Sequence, residues 1–275
     1  MSEARERETP AEESRLLEDF RLERWLASAR SEGRRYGAAD TGFEDWTANG
    51  ASARSGAGTG HLSAGSGYHW TQRAQYAVGH AINRYYAAEP RFRVHADIGE
   101  LVDYRWPRRI EDFDSEESYW AIKDRIAANL ASFFASNEYE SERPVVLYEQ
   151  FAVRVPELEM DLSMIFQLAW QGKDGEGLHL QKFVVEYDPD VLEGYRHAAR
   201  VFCYRAFGAE PSRIEVYTVL GGERILLEAA EGSYEDSLDY LRLAYSGMEE
   251  AEEQRSCSCS RCRQESEPSR SANLC

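Results

Sequence analysis

Lysine is nearly absent from this chain of 275 residues. Lys123, Lys173 and Lys182 are the only lysines, so arginine supplies the other 29 of the 32 basic residues. Long apolar runs are also absent, and none approaches the roughly 20 residues that a membrane-spanning helix needs. The opening stretch, MSEARERETPAEESR, is charged and has no apolar segment of the kind found in secretory signals. We therefore expect a cytoplasmic protein with no membrane partner.

Acidic residues outnumber basic ones by 49 to 32, which gives a formal net charge of −17. An acidic, lysine-poor composition is typical of halophile proteins, whose hydrated surfaces stay soluble in molar salt. A GC-rich genome also favours arginine over lysine, and both explanations stay open. The negative field opposes nucleic acid at low salt. Any DNA site must therefore be a local groove lined by arginine.

Cysteine is scarce and unevenly placed, with five residues in all. Cys203 lies in a predicted amphipathic helix and is expected to be a small buried side chain. The other four lie close to the end of the sequence, at Cys257, Cys259, Cys262 and Cys275. Their thiolates could hold a tetrahedral Zn²⁺ as a second metal site, and they resemble the cysteines of proteins that carry an iron–sulfur cluster. A flexible tail with incidental thiols is the alternative.

Apolar periodicity divides the chain into four regions. We expect residues 1–14 to be disordered and residues 249–275 to form a flexible acidic tail that carries the cysteines. Residues 15–69 should contain one helix, over 14–35, followed by a linker rich in glycine and serine at 48–67. This linker lacks the GK[ST] sequence of a phosphate-binding loop. Residues 70–248 should form the folded core.

Within the core, stretches of helical period and stretches of alternating apolar residues follow one another. The predicted helices cover 70–88, 114–136, 190–207 and 233–254. The predicted strands cover 143–156, 159–171, 178–188, 213–220 and 224–229, and 93–104 is expected to be strand and turn. Three consecutive strands, a helix and a strand pair indicate an α/β (α+β) fold: a central mixed sheet flanked by helices, with a helical N-terminal addition.

Carboxylates recur on the predicted strands. Glu186 and Asp188 are two residues apart, so they share a strand face. Asp161 lies on the preceding strand, Glu149 lies one strand earlier, and His80 lies in the middle of the helix at 70–88. Phosphodiester hydrolysis needs carboxylates close enough to share a divalent cation, together with a group that orients water. These five residues are the candidates for such a site.

The order of these motifs resembles the RecB-like branch of the PD-(D/E)XK nuclease superfamily over roughly residues 70–245. Gly79 and His80 match a helix that carries a Gly-x-x-x-His-like element, and the strands VVLYEQFAV and LEMDLSMIF carry Glu149 and Asp161. The stretch VVEYD stands where the family has an Asp-Tyr-Lys-like element, and GYRHAARVFCY fits the helix that follows.

The resemblance implies binding or hydrolysis of DNA or another nucleic acid, with Mg²⁺ or Mn²⁺ as cofactor. Asp161 and Glu186 would hold the metal ion, and Glu149 or His80 would complete its coordination. On the helix that follows the third strand, the residues expected to contact nucleic acid are Tyr195, Arg196 and Arg200. The arginines could equally pair with neighbouring glutamates.

The sequence departs from the family at the lysine that would act in catalysis, because Asp188 occupies that position. Lys182 is the nearest candidate for the missing charge, but at ~3.3 Å per residue it lies about 13 Å from Glu186 along the strand. A shifted register places Lys182 in the lysine position and leaves Leu180 where an acid is needed. The glycine that precedes the family's aspartate is also absent, since Glu159 and Met160 precede Asp161.

Three functions stay open at this point. The chain is a divergent nuclease, a nuclease-derived subunit that has lost catalysis and binds a protein partner, or an unrelated α+β interaction protein. Glu186 and Asp188 could also simply end a strand and begin a turn. The two nuclease-derived alternatives require Glu149, Asp161 and Glu186 to converge, and the third does not.

Overall fold

The computed structural model describes residues 15–36, 70–172, 177–227 and 232–256. Its helices are α1 (Asp19–Tyr36), α2 (Trp70–Ala87), α3 (Pro90–Arg93), α4 (Ile98–Asp103), α5 (Glu116–Ser136), α6 (Pro189–Phe207) and α7 (Tyr234–Ser256). Its strands are β1 (Arg15–Glu18), β2 (Val146–Val155), β3 (Met160–Gln171), β4 (Leu178–Val184), β5 (Arg213–Thr218) and β6 (Glu223–Leu227). The predicted disorder at 1–14, the linker at 48–67 and the four late cysteines fall outside the described residues.

The six strands form one mixed sheet flanked by helices, which confirms the predicted fold class. β2, β3 and β4 form an antiparallel meander, and α6 then crosses over to place β5 parallel to β4. β6 returns antiparallel to β5. None of the described helices is both long and apolar enough to cross a membrane.

One edge of β3 carries two different partners. β2 pairs along the other edge from Met160 to Ala169. On the remaining edge, β1 pairs in parallel with the first residues of β3, and β4 pairs with the last four. Residues 164–167 of β3 lie between these two pairings and have no strand neighbour on that edge. The sheet therefore has a gap between β3 and β4.

The sheet separates two apolar cores. The α2 core packs α2, α4 and α5 against Trp170, Phe183 and Tyr217 on one face. The α6 core packs α1, α6 and α7 against Leu180 and Ile214 on the other face. Burial of apolar side chains on both faces explains why β4 and β5 read as nearly continuous buried runs.

β3 changes its side-chain alternation at the gap. Even-numbered residues over Met160–Phe166 pack into the α6 core, whereas Leu168 and Trp170 pack into the α2 core. Opposite this point, Tyr148 of β2 has a φ of 49°, which is rare for a residue with a side chain. The local twist turns the side chain of Gln167 sideways into the gap, where its amide meets the backbone of β4.

The N-terminal segment packs into the α6 core, whereas the folded core predicted from the sequence begins at residue 70. The predicted helix over 14–35 begins only at Asp19, because Arg15–Glu18 form β1 against β3. Leu17 and Leu22 are buried in the α6 core. One continuous helix would bury these two leucines, and so does a strand followed by a helix. The spacing of the apolar residues therefore does not distinguish the two structures.

The prediction of strand and turn over 93–104 was wrong. This stretch contains the end of α3 and all of α4. Asp97 caps α4 by accepting a hydrogen bond from the backbone N–H of Glu100 at 3.1 Å, which satisfies one of the free donors of the first turn. Arg93 is 2% exposed and donates to four backbone carbonyls, from Tyr86, Ala88, Glu140 and Glu142.

Candidate functional site

The gap between β3 and β4 opens into a cavity of about 460 Å³. We call it the β3–β4 cavity; α1 and α2 form its other walls. Its lining consists of Asp19, Phe20, Glu23, Gln72, Gln75, Tyr76, Gly79, His80, Asn83, Tyr148, Ile165, Gln167 and Lys182. This volume lies in the range of small-molecule and side-chain binding sites.

Lys182 brings a positive charge to the cavity from the interior of β4. Its side chain is 8% exposed, and Nζ lies 2.7 Å from Oε1 of Glu23 on α1. Nζ also lies 4.3 Å from the ring centroid of Tyr195, on its face. A buried ammonium needs a counter-charge and hydrogen-bond acceptors, and Glu23 provides both.

Asp19 brings a second carboxylate from the first turn of α1. Its Oδ2 accepts the backbone N–H of Ile165 at 2.8 Å, and Oδ1 accepts that of Phe20 at 2.7 Å. The N–H of Ile165 belongs to the part of β3 that has no strand neighbour, so Asp19 replaces a missing ladder bond. Burial raises the pKa of Asp19, the charge of Glu23 adds to this rise, and the hydrogen bonds and Lys182 oppose it.

Two glutamines hold the edges of the gap together. Gln167 accepts the backbone N–H of Phe183 at 2.6 Å and donates to its carbonyl at 3.3 Å. Gln75 of α2 donates to the same carbonyl at 2.8 Å and accepts the N–H of Val185 at 2.8 Å. These side chains satisfy the backbone groups of Phe183 in β4 and of Val185 just after it, which have no partner strand on this edge.

Two polar atoms in the wall of the cavity are buried without a hydrogen-bond partner among the described residues. They are the Tyr148 hydroxyl and Nδ1 of His80. Gly79 allows the close approach of Tyr148, since a Cβ there would lie 3.1 Å from its hydroxyl. Burial raises the pKa of Tyr148, so its hydroxyl stays protonated. Unsatisfied buried polar atoms are uncommon and point to a missing partner.

Of the predicted catalytic and metal-binding residues that the structure describes, two line the β3–β4 cavity. His80 and Lys182 both line the β3–β4 cavity. Asp161 lies at the start of β3, 3.5 Å from Arg154 of β2, and β1 occupies the neighbouring edge. Glu149 is exposed on β2 and pairs in register with Phe166. Asp161 and Glu149 therefore lie outside the cavity lining.

The remaining acids end a strand and begin a helix. Glu186 is exposed just after β4. Asp188 is the N-cap of α6 and accepts hydrogen bonds from the backbone N–H groups of Asp190 and Val191 at 3.1 and 3.3 Å. Pro189 follows in the first helical position, where a missing N–H costs nothing. These contacts agree with the alternative reading of VVEYDPD as a strand end followed by a helix start.

The described residues contain no group of three or more His, Cys, Asp or Glu side chains that could hold a metal ion. The donor set predicted for Mg²⁺ or Mn²⁺, with Asp161, Glu186, Glu149 and His80, therefore does not fit such an ion here. The insertion of β1 beside Asp161 is the physical reason, because it fills the edge of β3 along which Glu186 would have to approach.

Searches against known proteins give no family assignment. The sequence matches no protein-family model, and it matches no curated protein.

The three residues predicted to contact nucleic acid are buried. Tyr195 is 3% exposed in the α6 core. Arg196 pairs with Glu193, Nε to Oε2 at 2.9 Å, and Arg200 pairs with Glu210 at 3.0 Å. Both arginines fold back within the α6–α7 region, and neither presents its guanidinium to solvent. Their spacing on α6 places all three on the buried face of the helix, and contact with nucleic acid stays a prediction.

Cys203 follows its prediction and is a buried free thiol. Burial raises the pKa of this thiol to about 12, so it is inert at neutral pH.

The residues that sequence reasoning missed are Asp19, Glu23, Tyr148, Gln75 and Gln167. One signal for the first two was available. Lys182 is the one residue of the strand LHLQKFV that carries a full charge, and a buried lysine demands a carboxylate partner. The choice among many acidic residues depends on the β1–β3 pairing, which the local pattern does not reveal. The sequence did not indicate a role for the two glutamines, because glutamine is common on the solvent-exposed faces of strands and helices.

Proposed function

We propose that this protein is an interaction subunit that does not hydrolyse phosphodiesters. The observation that carries the proposal is the ion pair between Lys182 and Glu23. A lysine that stabilises the developing charge of a phosphoryl group has to be free to face that group. Lys182 is instead neutralised by α1 and stacked on Tyr195, inside the protein.

The positions of the acids support the same conclusion. Metal-dependent hydrolysis requires carboxylates that share a cation. Asp161 pairs with Arg154, Asp188 caps α6, and Asp19 binds two backbone N–H groups. Asp161 and Asp188 are thus engaged at separate places and do not face a common position for a cation.

The order of the core elements supports a nuclease-derived origin of the fold. Helix α2 is followed by the antiparallel meander β2–β3–β4, the helix α6 and the parallel strand β5. This is the order in which the resemblance places its motifs. We therefore propose that the chain keeps the topology of the superfamily while its site has been rebuilt.

Charge supports a protein partner over nucleic acid. The net charge of −17 opposes the approach of a polyanion. Arg196 and Arg200 of α6 form ion pairs within the protein, with Glu193 and Glu210. A net negative charge of this size attracts basic proteins instead.

The direct test is cleavage of labelled single- and double-stranded DNA with Mg²⁺ or Mn²⁺, at low and molar salt. Wild type is compared with Asp161→Ala, Glu186→Ala and Lys182→Met. We expect no cleavage by any of the four proteins and no heat of Mn²⁺ binding by calorimetry. Metal-dependent cleavage by the wild type that is lost in a variant would overturn the proposal.

A second candidate function is hydrolysis at a relocated site. Asp19, Glu23, His80 and Lys182 are residue types used in phosphodiesterases, and all four line one cavity. Asp19→Asn separates the two functions. Cleavage that disappears in Asp19→Asn and persists in Asp161→Ala would assign hydrolysis to the β3–β4 cavity.

A further inference from the structure

We infer that the β3–β4 cavity binds the guanidinium group of an arginine on a basic segment of a partner protein. This inference rests on the proposed function as an interaction subunit and gives its partner a chemistry. It starts from two buried polar atoms that no group of the described residues satisfies, the Tyr148 hydroxyl and His80 Nδ1.

Charge selects a cation as the ligand. Two carboxylates and one ammonium line the cavity, from Asp19, Glu23 and Lys182, so its formal charge is −1 with histidine counted as neutral. Lys182 and Glu23 neutralise each other at 2.7 Å. The uncompensated charge is therefore that of Asp19, in a molecule of net charge −17. A phosphate or carboxylate ligand would be repelled by the Asp19 carboxylate and by the net negative charge of the protein.

Hydrogen bonding selects a group with many donors. Guanidinium offers five N–H donors and no acceptor. Asp19 accepts one backbone N–H at each oxygen, and a carboxylate has about four acceptor positions, so it can accept more. The Tyr148 oxygen and His80 Nδ1 can both accept, and so can the side-chain carbonyls of Gln72 and Asn83, which also line the cavity. The wall thus offers an acceptor to several of the five guanidinium donors.

The rim of the cavity selects a planar cation over a compact one. Phe20 is 41% exposed and Tyr76 is 61% exposed, and both line the cavity. Their rings offer faces on which a guanidinium can stack. An ammonium is a more strongly hydrated point charge with three donors and does not stack in the same way. Arginine therefore fits this lining better than lysine.

The experiment is calorimetric titration of the full chain with the capped tripeptide acetyl-Gly-Arg-Gly-amide. The matched ligand is the same peptide with citrulline, which keeps the shape and loses the charge. We expect the arginine peptide to bind at least about tenfold more tightly than the citrulline peptide, and the lysine peptide to lie between them. Inorganic phosphate and thymidine monophosphate should not compete.

Variants of the cavity give the second arm. Asp19→Asn should weaken arginine binding by about tenfold or more, and Glu223→Gln, which removes an exposed charge on β6, should change it less than twofold. Lys182→Met should tighten binding, because it removes the opposing charge. Circular dichroism melting confirms that each variant is folded before titration.

Three results would overturn the inference: equal affinity for arginine and citrulline, no effect of Asp19→Asn in a folded protein, or displacement by phosphate or nucleotide. Failure here without DNA cleavage leaves the interaction role standing and removes only the arginine site. DNA cleavage by the wild type instead removes the proposed function, whatever the peptides do.

Discussion

The ammonium of Lys182 lies 2.7 Å from the carboxylate of Glu23, although 159 residues separate them in the sequence. This pair joins the first helix of the chain to the middle of the sheet. It also closes the β3–β4 cavity on the side of α1, so its removal should affect stability and the cavity together.

Glu23→Gln should leave the buried ammonium without a counter-charge. We expect a loss of about 2 kcal/mol of unfolding free energy, below the range for fully buried pairs because Glu23 is 29% exposed. The double variant with Lys182→Met should recover part of this loss, since no charge is then left unpaired. Urea denaturation of the wild type, Glu23→Gln and the double variant measures the three unfolding free energies. Asp239→Asn, which breaks an exposed pair with Arg242, is the control and should cost at most about 0.5 kcal/mol.

Asp19 should make stability depend on pH. Its pKa in the folded protein is raised above 3.8, mainly by burial, so the folded state holds this proton more tightly than the unfolded state. The stability contributed by Asp19 is therefore complete below pH 3.8 and falls as pH rises through the raised pKa. Denaturation at pH 4, 5, 6 and 7 should show wild type losing stability relative to Asp19→Asn. A difference that is constant over this range would contradict the assignment.

Gln167→Leu should open the edge of β4. The backbone N–H of Phe183 would lose its acceptor at 2.6 Å, and an unsatisfied buried donor costs about 1–3 kcal/mol. Hydrogen exchange followed by NMR should show faster exchange at Phe183. The N–H of Val219 donates to Val184 in the neighbouring pairing and should be affected less. Unchanged protection at Phe183 would mean that Gln167 is not the acceptor.

Tyr148→Phe should stabilise the free protein or leave its stability unchanged. The hydroxyl is buried without a partner among the described residues, so its removal ends a desolvation cost and keeps the ring. The same variant should bind the arginine peptide more weakly. A gain in stability together with a loss of binding is the signature of a site kept for its ligand. A clear loss of stability would mean that the hydroxyl is satisfied within the fold.

Much of the fold could be predicted from the sequence because its signals are local. The helices α2, α5, α6 and α7 and the strands β2–β6 lie within the ranges that periodicity assigns, with differences of a few residues at their ends. β1 could not be found in this way, since four residues become a strand only through pairing with a segment about 145 positions later. The alternation of apolar residues over 93–104 indicated a strand, but this stretch contains the helix α4, which Asp97 caps.

The site was predictable only in part, for a different reason. His80 and Lys182 were chosen for their chemistry, and both line the cavity. The acids were chosen by spacing along the strands, and spacing says nothing about a strand that inserts from elsewhere. Asp161 shows this, because its neighbour across the sheet edge is Leu16 of β1.

The shared edge of β3 also has a consequence for how the chain is made. Arg15–Glu18 leave the ribosome long before β3 is synthesised, so their ladder partner does not yet exist. The contact has a large sequence separation and belongs among the slow steps of folding. Until β1 docks, the first half of β3 has an open edge that another chain could extend. The nascent protein is therefore most prone to self-association between completion of the meander and the return of its own first strand.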